Sequence, residues 1–430
     1  MERSTELTRP GILWFLVINI ILFQNPLLKV TSLFKYTDEC LMLFFAGWIA
    51  THAKKLRKSH VAMAVLSIAL VYLGLVSNAF SGISRTKGAI ILDIANFAKL
   101  IVIVIGAALY FEEVDIGRRG LLRQLAAEVR IIVTAGLVLA VVSQVANIGM
   151  THGVRYGIKC FQYFFSTPGM LNQYCIIYLL ILTLDLMGSA DKRMKYPFLA
   201  IAFGLWLSTG RTRGMAVLAI WILVMLLANN DFFGDRKISA EDKVRRLLKP
   251  QFILGAGIGL LLIGWDQIEF YLGGGTLKAR SLLLRGGINA MKDFWPLGAG
   301  YATFGTEQAA RYYSPLYYRY GLNTYWATAP GGTELTDCYW PAVGAQFGIF
   351  GLLVMAVLVY YLSAELIRLS GTDKYALVCA IVYVIYLLIS STATGIYNAY
   401  TTAGFVTALI ALITCPSKRK KQDYENSGTI

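Results

Sequence analysis

Residues 208–214, which read Ser-Thr-Gly-Arg-Thr-Arg-Gly, are the first stretch whose composition could support chemistry. They separate two short apolar runs, so Arg211 and Arg213 would lie at the start of a helix, where free backbone N–H groups and the positive end of the helix dipole attract anions. The planar guanidinium group also matches phosphate oxygens. This pattern predicts a pyrophosphate-binding site. Contact of both arginines with lipid phosphates at a membrane surface explains it equally well.

A second stretch, residues 280–305, combines two arginines with a Gly-rich turn. Apolar residues at 282, 283, 284, 288 and 291 predict an amphipathic helix that lies on the outer surface of a membrane, and Pro296 would end it. Arg280 and Arg285 are five residues apart and do not stack on one helical face, so we expect them to have different partners. Packing at the membrane interface alone is the alternative explanation.

A third stretch, residues 336–351, contains the lone carboxylate Asp337. Its position before an apolar run allows two roles, a proton acceptor in catalysis or an N-terminal helix cap. The Tyr-rich segment that precedes it includes Arg311, Tyr313 and Tyr317. Aromatic residues at this density either face sugar rings or form the aromatic belt at a membrane interface.

Metal and nucleotide chemistry find no support in the sequence. The six cysteines form no Cys-x-x-Cys pair, and the three histidines are spread over different segments. Neither a phosphate-binding loop nor a dinucleotide-binding Gly motif follows a strand pattern. We therefore predict a protein without a metal or cofactor.

Composition identifies the elements that must position these residues. Of the 430 residues, 57% are hydrophobic and 15% are charged, and the apolar residues form runs long enough to cross a bilayer. These properties exclude a soluble enzyme, a disordered chain, an outer-membrane barrel and a nucleic-acid-binding protein. Hydropathy predicts twelve spans, at about 11–30, 36–53, 60–79, 89–111, 130–150, 168–188, 194–209, 214–229, 251–267, 342–363, 374–390 and 394–415.

The predicted fold is therefore all-α, a polytopic membrane bundle of about twelve helices that forms one domain over residues 1–430. Of the 40 Lys and Arg residues, 25 lie in alternate loops that include both termini, which predicts an N-in, C-in orientation. Residues 267–341 would form one large extracytoplasmic loop between spans nine and ten, and residues 416–430 a basic cytoplasmic tail. The sequence shows no internal repeat, so it gives no support to a transporter built from inverted repeats.

Taken together, the three stretches resemble the O-antigen ligase/polymerase superfamily of membrane glycosyltransferases, within the GT-C group. Thr-Arg-Gly at 212–214 is similar to the small-Arg-Gly signature of that family. Arg280 followed by Pro296-Leu-Gly-Ala-Gly300 is similar to its Arg and Pro-x-Gly-x-Gly elements, and Gly348-x-x-Gly351 to its closing Gly pair. The resemblance extends over about residues 130–400.

One departure shifts the resemblance within the superfamily. Ligases carry a histidine about eleven residues before the closing Gly pair, where this chain has Asp337, and no other histidine lies in the loop. Repeat-unit polymerases of the Wzy type frequently have an Asp-containing segment there. The chain therefore resembles capsule, exopolysaccharide and O-antigen polymerases more closely than ligases.

The resemblance implies a reaction at the extracytoplasmic face of the bacterial inner (cytoplasmic) membrane. A glycan would pass from undecaprenyl pyrophosphate to a second lipid-linked repeat unit without a metal ion. Arg213 and Arg280 would bind the pyrophosphate, with Arg211 and Arg285 in support, and Asp337 would accept the acceptor's proton. Sugar contacts would come from Arg311, Tyr313 and Tyr317.

Further partners that the resemblance implies are membrane lipids, a flippase and a chain-length regulator. Two other functions remain open, ligase-type transfer to lipid A core or protein, and transport of a lipid-linked oligosaccharide. Lys99, in the middle of a predicted span, is either a functional residue or pairs with a polar residue on a neighbouring helix, such as Asn172.

Overall fold

The computed structural model describes residues 8–187, 192–229 and 279–414. These residues form fifteen α-helices and one β-hairpin. The helices are α1 (Arg9–Leu22), α2 (Gln24–Leu27), α3 (Thr37–Thr51), α4 (Lys58–Ser81), α5 (Lys87–Glu113), α6 (Arg118–Val145), α7 (Pro168–Leu184), α8 (Tyr196–Leu207), α9 (Thr212–Asn229), α10 (Ala279–Asp293), α11 (Glu307–Arg311), α12 (Pro315–Arg319), α13 (Trp340–Leu369), α14 (Lys374–Ser391) and α15 (Tyr400–Ile413). The strands are β1 (Thr151–Arg155) and β2 (Ile158–Phe161).

Five of the described helices, α4, α5, α6, α13 and α14, are long and apolar enough to cross a membrane. The apolar helices α1, α7, α8, α9 and α15 are shorter. The mostly helical character predicted from hydropathy is thus confirmed. The ninth predicted span, the start of the large loop before residue 279 and the basic tail 416–430 lie outside the described residues. The count of twelve spans and the orientation stay predictions.

Burial separates the central helices from the peripheral ones. In α14, 78% of the most apolar stretch is buried, against 22% in α4. Helix α14 packs on α7 and α9, and α15 packs on α5, so helices that are apolar all round form the centre of the bundle. Helices α4 and α6 expose apolar side chains such as Val65 and Val138, as expected for surfaces that face lipid.

The β-hairpin is a feature that the all-α prediction missed. Its strands pair antiparallel around a two-residue turn at Tyr156 and Gly157, which both have positive φ. A turn of this kind matches the right-handed twist of the two strands. The strands are only five and four residues long, so their pattern was too short to stand out among the apolar runs.

Lys99 does not pair with Asn172. Its ammonium group contacts the carboxylate of Asp38 on the neighbouring helix α3 and lies 3.7 Å from a carboxylate oxygen of Glu39. Asn172 instead accepts a hydrogen bond of 2.6 Å from the indole nitrogen of Trp206. The helix pairing explains the difference, because α5 packs against α3 and α7 packs against α8.

The helix predicted between Arg280 and Pro296 is confirmed as α10. One of its faces packs on α13 and buries Leu283, Gly286, Gly287 and Ala290. A β-carbon at Gly287 would lie 2.8 Å from Cβ of Pro341, so this glycine permits the close approach of α10 to α13. Of the apolar residues that the pattern placed on the membrane face, Ile288 is exposed, whereas Leu283 is buried inside the protein. Contact of that exposed face with a membrane stays a prediction.

The Gly-rich turn after α10 is bonded to the helix bundle. The backbone N–H groups of Ala299 and Gly300 donate to the carbonyls of Ala345 and Gln346 in α13. Further hydrogen bonds join this turn to α4 and α5. The hydroxyls of Ser77 and Ser81 donate to the carbonyls of Leu297 and Ala299. The backbone N–H groups of Tyr301 and Ala302 donate to the side-chain oxygens of Asn78 and Asp93. These bonds hold α10 in a defined position against the start of α13.

Gly348 interrupts α13 to admit this turn. Its φ of +62° is left-handed, and a β-carbon there would overlap the carbonyl of Pro296. The N–H of Ile349 donates to the same carbonyl at 3.2 Å. Gly298 lies on the other side of this contact, where a β-carbon would be 2.5 Å from the nitrogen of Gly348. Gly298 and Gly348 are therefore required by the close packing of the turn against α13.

Candidate functional site

An ion pair joins the second and third stretches. Nη2 of Arg280 lies 3.5 Å from Oδ2 of Asp337, and both side chains are partly exposed. Arg280 is in the first turn of α10, and Asp337 belongs to the segment that leads into α13. Since α10 packs along α13, the two residues meet although 57 positions separate them.

Asp337 does not cap α13. The N-cap residue is Tyr339, and no side chain makes a capping hydrogen bond there. The backbone N–H of Asp337 donates to the carbonyl of Glu334 at 3.1 Å, so a turn orients the aspartate toward Arg280 rather than toward the helix. The alternative role that the sequence allowed for Asp337, an N-terminal cap of the following helix, is therefore wrong.

The first stretch contributes its two arginines to the same place. Burial raises the pKa of the Asp337 carboxyl above its usual value. The positive charges of Arg280, Arg213 and Arg211 oppose this shift, which puts all three within electrostatic reach of the carboxylate. The structure thus brings together the arginines and the aspartate that the sequence singled out as catalytic, with Arg211 beside them.

Close packing sets the position of residues 208–214, the arginine-bearing tip between α8 and α9. A β-carbon at Gly214 would lie 2.5 Å from Oδ1 of Asn172 and would overlap the indole of Trp206. The glycine of Thr-Arg-Gly therefore lets α9 approach α7 and α8. Gly210, with φ +62°, makes the turn just before Arg211. This geometry directs the start of α9 toward the segment that contains Asp337.

Arg211 is in an unusual environment for a cation. Its side chain is partly buried, and no described residue accepts a hydrogen bond from its shielded Nε. Burial lowers the pKa of its guanidinium, and the charges of Arg155 and Arg213 lower it further. A site that buries a guanidinium among other guanidiniums is suited to bind an anion, which would supply the missing acceptors.

Two charged residues of this neighbourhood were not singled out from the sequence. Arg155, at the end of β1, is the charged group with the largest effect on Arg211. Glu334 lies near Asp337, and burial followed by the charge of Asp337 raises the pKa of its carboxyl. Neither belongs to a recognisable motif. The only available signal for Arg155 was its place in a loop that the charge pattern predicts to lie outside the membrane.

The remaining predicted substrate-binding residues are not brought into this cluster. Arg285 is exposed on α10, and Arg311 is exposed with its guanidinium 5.9 Å from the centre of the Tyr312 ring. Tyr313 donates to the carbonyl of Thr328 at 3.0 Å. Tyr317 is fully buried and accepts a hydrogen bond from the N–H of Gly305 at 2.9 Å. In this conformation Tyr317 packs inside the loop and has no surface for a sugar.

Within residues 8–187, 192–229 and 279–414, no group of three or more His, Cys, Asp or Glu side chains could hold a metal ion. The ionisable groups described around Asp337 are mainly guanidiniums, which bind oxyanions rather than metal cations. The chemistry that this set of side chains can perform is anion binding, stabilisation of a departing anion and proton acceptance by a carboxylate.

Fold and site together define a mostly helical protein with apolar helices of membrane-spanning length and a partly buried cluster of arginines around one aspartate. Comparison with known proteins finds no matching protein-family model and no matching curated protein.

Proposed function

We propose that this protein is a membrane glycosyltransferase that polymerises oligosaccharide repeat units. The observation that carries the proposal is the convergence of Arg211, Arg213 and Arg280 on Asp337 from three separate segments of the chain. Glycosyl transfer from a lipid pyrophosphate requires positive charges that stabilise the anionic leaving group, and a base that accepts the proton of the acceptor hydroxyl. The motif resemblance to Wzy-type polymerases supports the same assignment.

The reaction follows from these side chains. Arg213 and Arg280 bind the pyrophosphate of an undecaprenyl-linked glycan. The hydroxyl of the acceptor sugar attacks the anomeric carbon, the bond from that carbon to the pyrophosphate oxygen breaks, and Asp337 takes the hydroxyl proton. The leaving group departs as undecaprenyl pyrophosphate, whose negative charge the preorganised arginines stabilise. The growing chain is thereby transferred to a new lipid-linked repeat unit.

The environment of Asp337 suits a proton acceptor. Burial raises the pKa of its carboxyl, and a stronger base takes a hydroxyl proton more readily. The positive charge of Arg280 opposes this rise in pKa, and its guanidinium orients the carboxylate at 3.5 Å. We place this reaction at the extracytoplasmic face of the bacterial inner membrane, where a flippase would deliver the substrate and a chain-length regulator would limit the product.

Transfer assays with purified protein test the proposal. The protein in lipid nanodiscs is supplied with undecaprenyl-pyrophosphate-linked repeat units from a strain that lacks this chain, and the products are separated by length. A ladder of lengths that disappears in Arg280→Ala, and persists in Arg285→Ala, is the expected result. A single transfer to lipid A core or protein would identify a ligase, and translocation without a new linkage a transporter. Either result would overturn the assignment as a polymerase.

A further inference from the structure

One face of the β-hairpin packs against the arginine-bearing tip between α8 and α9. Arg155 pairs with Ile158, and Val154 pairs with Lys159. Because side chains alternate along a strand, Arg155, Ile158 and Cys160 lie on one face, and Lys159 lies on the other. The two positively charged residues near the hairpin turn therefore point in opposite directions.

The face with Arg155 and Cys160 packs on Gly210. A β-carbon at Gly210 would lie 2.7 Å from Sγ of Cys160 and 3.5 Å from Cβ of Arg155. Two hydrogen bonds fix the contact, one of 2.9 Å from the N–H of Phe161 to the carbonyl of Ser208, and one of 2.9 Å between the hydroxyls of Tyr156 and Thr212. The hairpin is thus fastened on both sides of Arg211.

This arrangement places Arg155 beside Arg211, because Cβ of Arg155 packs against Gly210, the residue that precedes Arg211. The positive charges of Arg155 and Arg211 repel each other, and Nε of Arg211 is shielded from water with no acceptor among the described residues. An oxyanion between them would remove the repulsion and accept the hydrogen bond. The packing around Gly210 holds them together without such a ligand.

We propose that Arg155 and Arg211 form a second phosphate subsite next to the one formed by Arg213 and Arg280, so that the site selects pyrophosphate over a single phosphate. This inference rests on the proposed function and deepens it. One phosphate of the donor binds between Arg213 and Arg280, and the other between Arg155 and Arg211. Arg155 is then a specificity-determining residue that the hairpin supplies.

Inorganic pyrophosphate and orthophosphate are the probes for this subsite. Their affinities for the full-length protein in detergent are measured by titration calorimetry. We expect Arg155→Ala to weaken pyrophosphate binding about tenfold, the contribution of one charge-assisted contact, and to leave orthophosphate binding unchanged. The unchanged orthophosphate affinity also shows that the variant is folded. Lys159→Ala, on the opposite face of the same hairpin, should bind both anions like the unsubstituted protein.

Three results would overturn the second subsite. They are an Arg155→Ala variant that keeps its preference for pyrophosphate, an equal loss of affinity for both anions, and an equal effect of Lys159→Ala. If one of them occurs while the transfer assay still yields a ladder, the second subsite fails and the polymerase assignment stands. If the unsubstituted protein binds neither anion and forms no ladder, both fail.

Discussion

The guanidinium of Arg280 lies 3.5 Å from the carboxylate of Asp337, and the charges of Arg213 and Arg211 act on the same carboxylate. This relationship links an anion-binding residue to a proton acceptor across 57 positions of the chain. It depends on the packing of α10 against α13, which Gly287 permits because a β-carbon there would lie 2.8 Å from Cβ of Pro341.

Removal of Arg213 or Arg280, the two arginines proposed to bind the donor pyrophosphate, should abolish polymer formation. We expect Arg280→Ala and Arg213→Ala to reduce transfer at least about 100-fold, the magnitude of losing a preorganised charge that stabilises a departing anion. Transfer is measured with purified lipid-linked repeat units, and immunoblots of membranes check the protein level.

Arg285→Ala is the matched control for Arg280, because Arg285 lies on the same helix and is exposed. It should retain near-normal transfer. Long-chain product from Arg280→Ala would refute the proposed role of Arg280 in binding pyrophosphate.

Asp337→Asn should slow transfer about 100-fold or more, because an amide cannot accept the proton of the acceptor hydroxyl. The unsubstituted protein should lose activity as the pH falls through the pKa of Asp337, which burial raises above its usual value. The acidic limb of the pH–rate profile should therefore lie at a higher pH than an exposed aspartate would give.

Gly348→Ala should prevent stable folding, whereas Gly321→Ala should be tolerated. Both glycines have positive φ, +62° and +73°, so both substitutions introduce backbone strain of about 1–2 kcal/mol. Only at Gly348 would the new β-carbon also overlap the carbonyl of Pro296, since nothing lies within 4 Å at Gly321. Thermal unfolding in detergent, followed by size-exclusion chromatography, compares the two. Equal melting temperatures would refute the packing argument.

Lys99→Met should destabilise the protein by about 3–5 kcal/mol, because it leaves the buried carboxylate of Asp38 without its cation. The double variant Lys99→Met/Asp38→Asn should recover part of that loss. Lys87→Met, on an exposed position of the same helix, should change the unfolding free energy by no more than about 0.5 kcal/mol. A double variant less stable than Lys99→Met would show that the pair is not the reason for the effect.

Local patterns predicted several elements well. The apolar spacing and Pro296 located a helix between Arg280 and the turn, and the structure has α10 at Ala279–Asp293. Hydropathy likewise anticipated the long apolar helices. The hairpin was missed because its strands are short. Lys99 does pair with a polar residue on a neighbouring helix, but with Asp38 rather than Asn172, because helix neighbours cannot be deduced from the composition of one helix.

The sequence by itself determined that this is a mostly helical protein with apolar segments of membrane-spanning length, because hydropathy and helical periodicity are properties of each segment alone. It also identified the residue types suited to anion binding and proton transfer. Only the tertiary structure decided which of them meet. Arg155, Arg211, Arg280 and Asp337 lie on separate segments, and Tyr317 turned out to be buried. Contacts between distant segments depend on which helices pack together, and no local pattern contains that information.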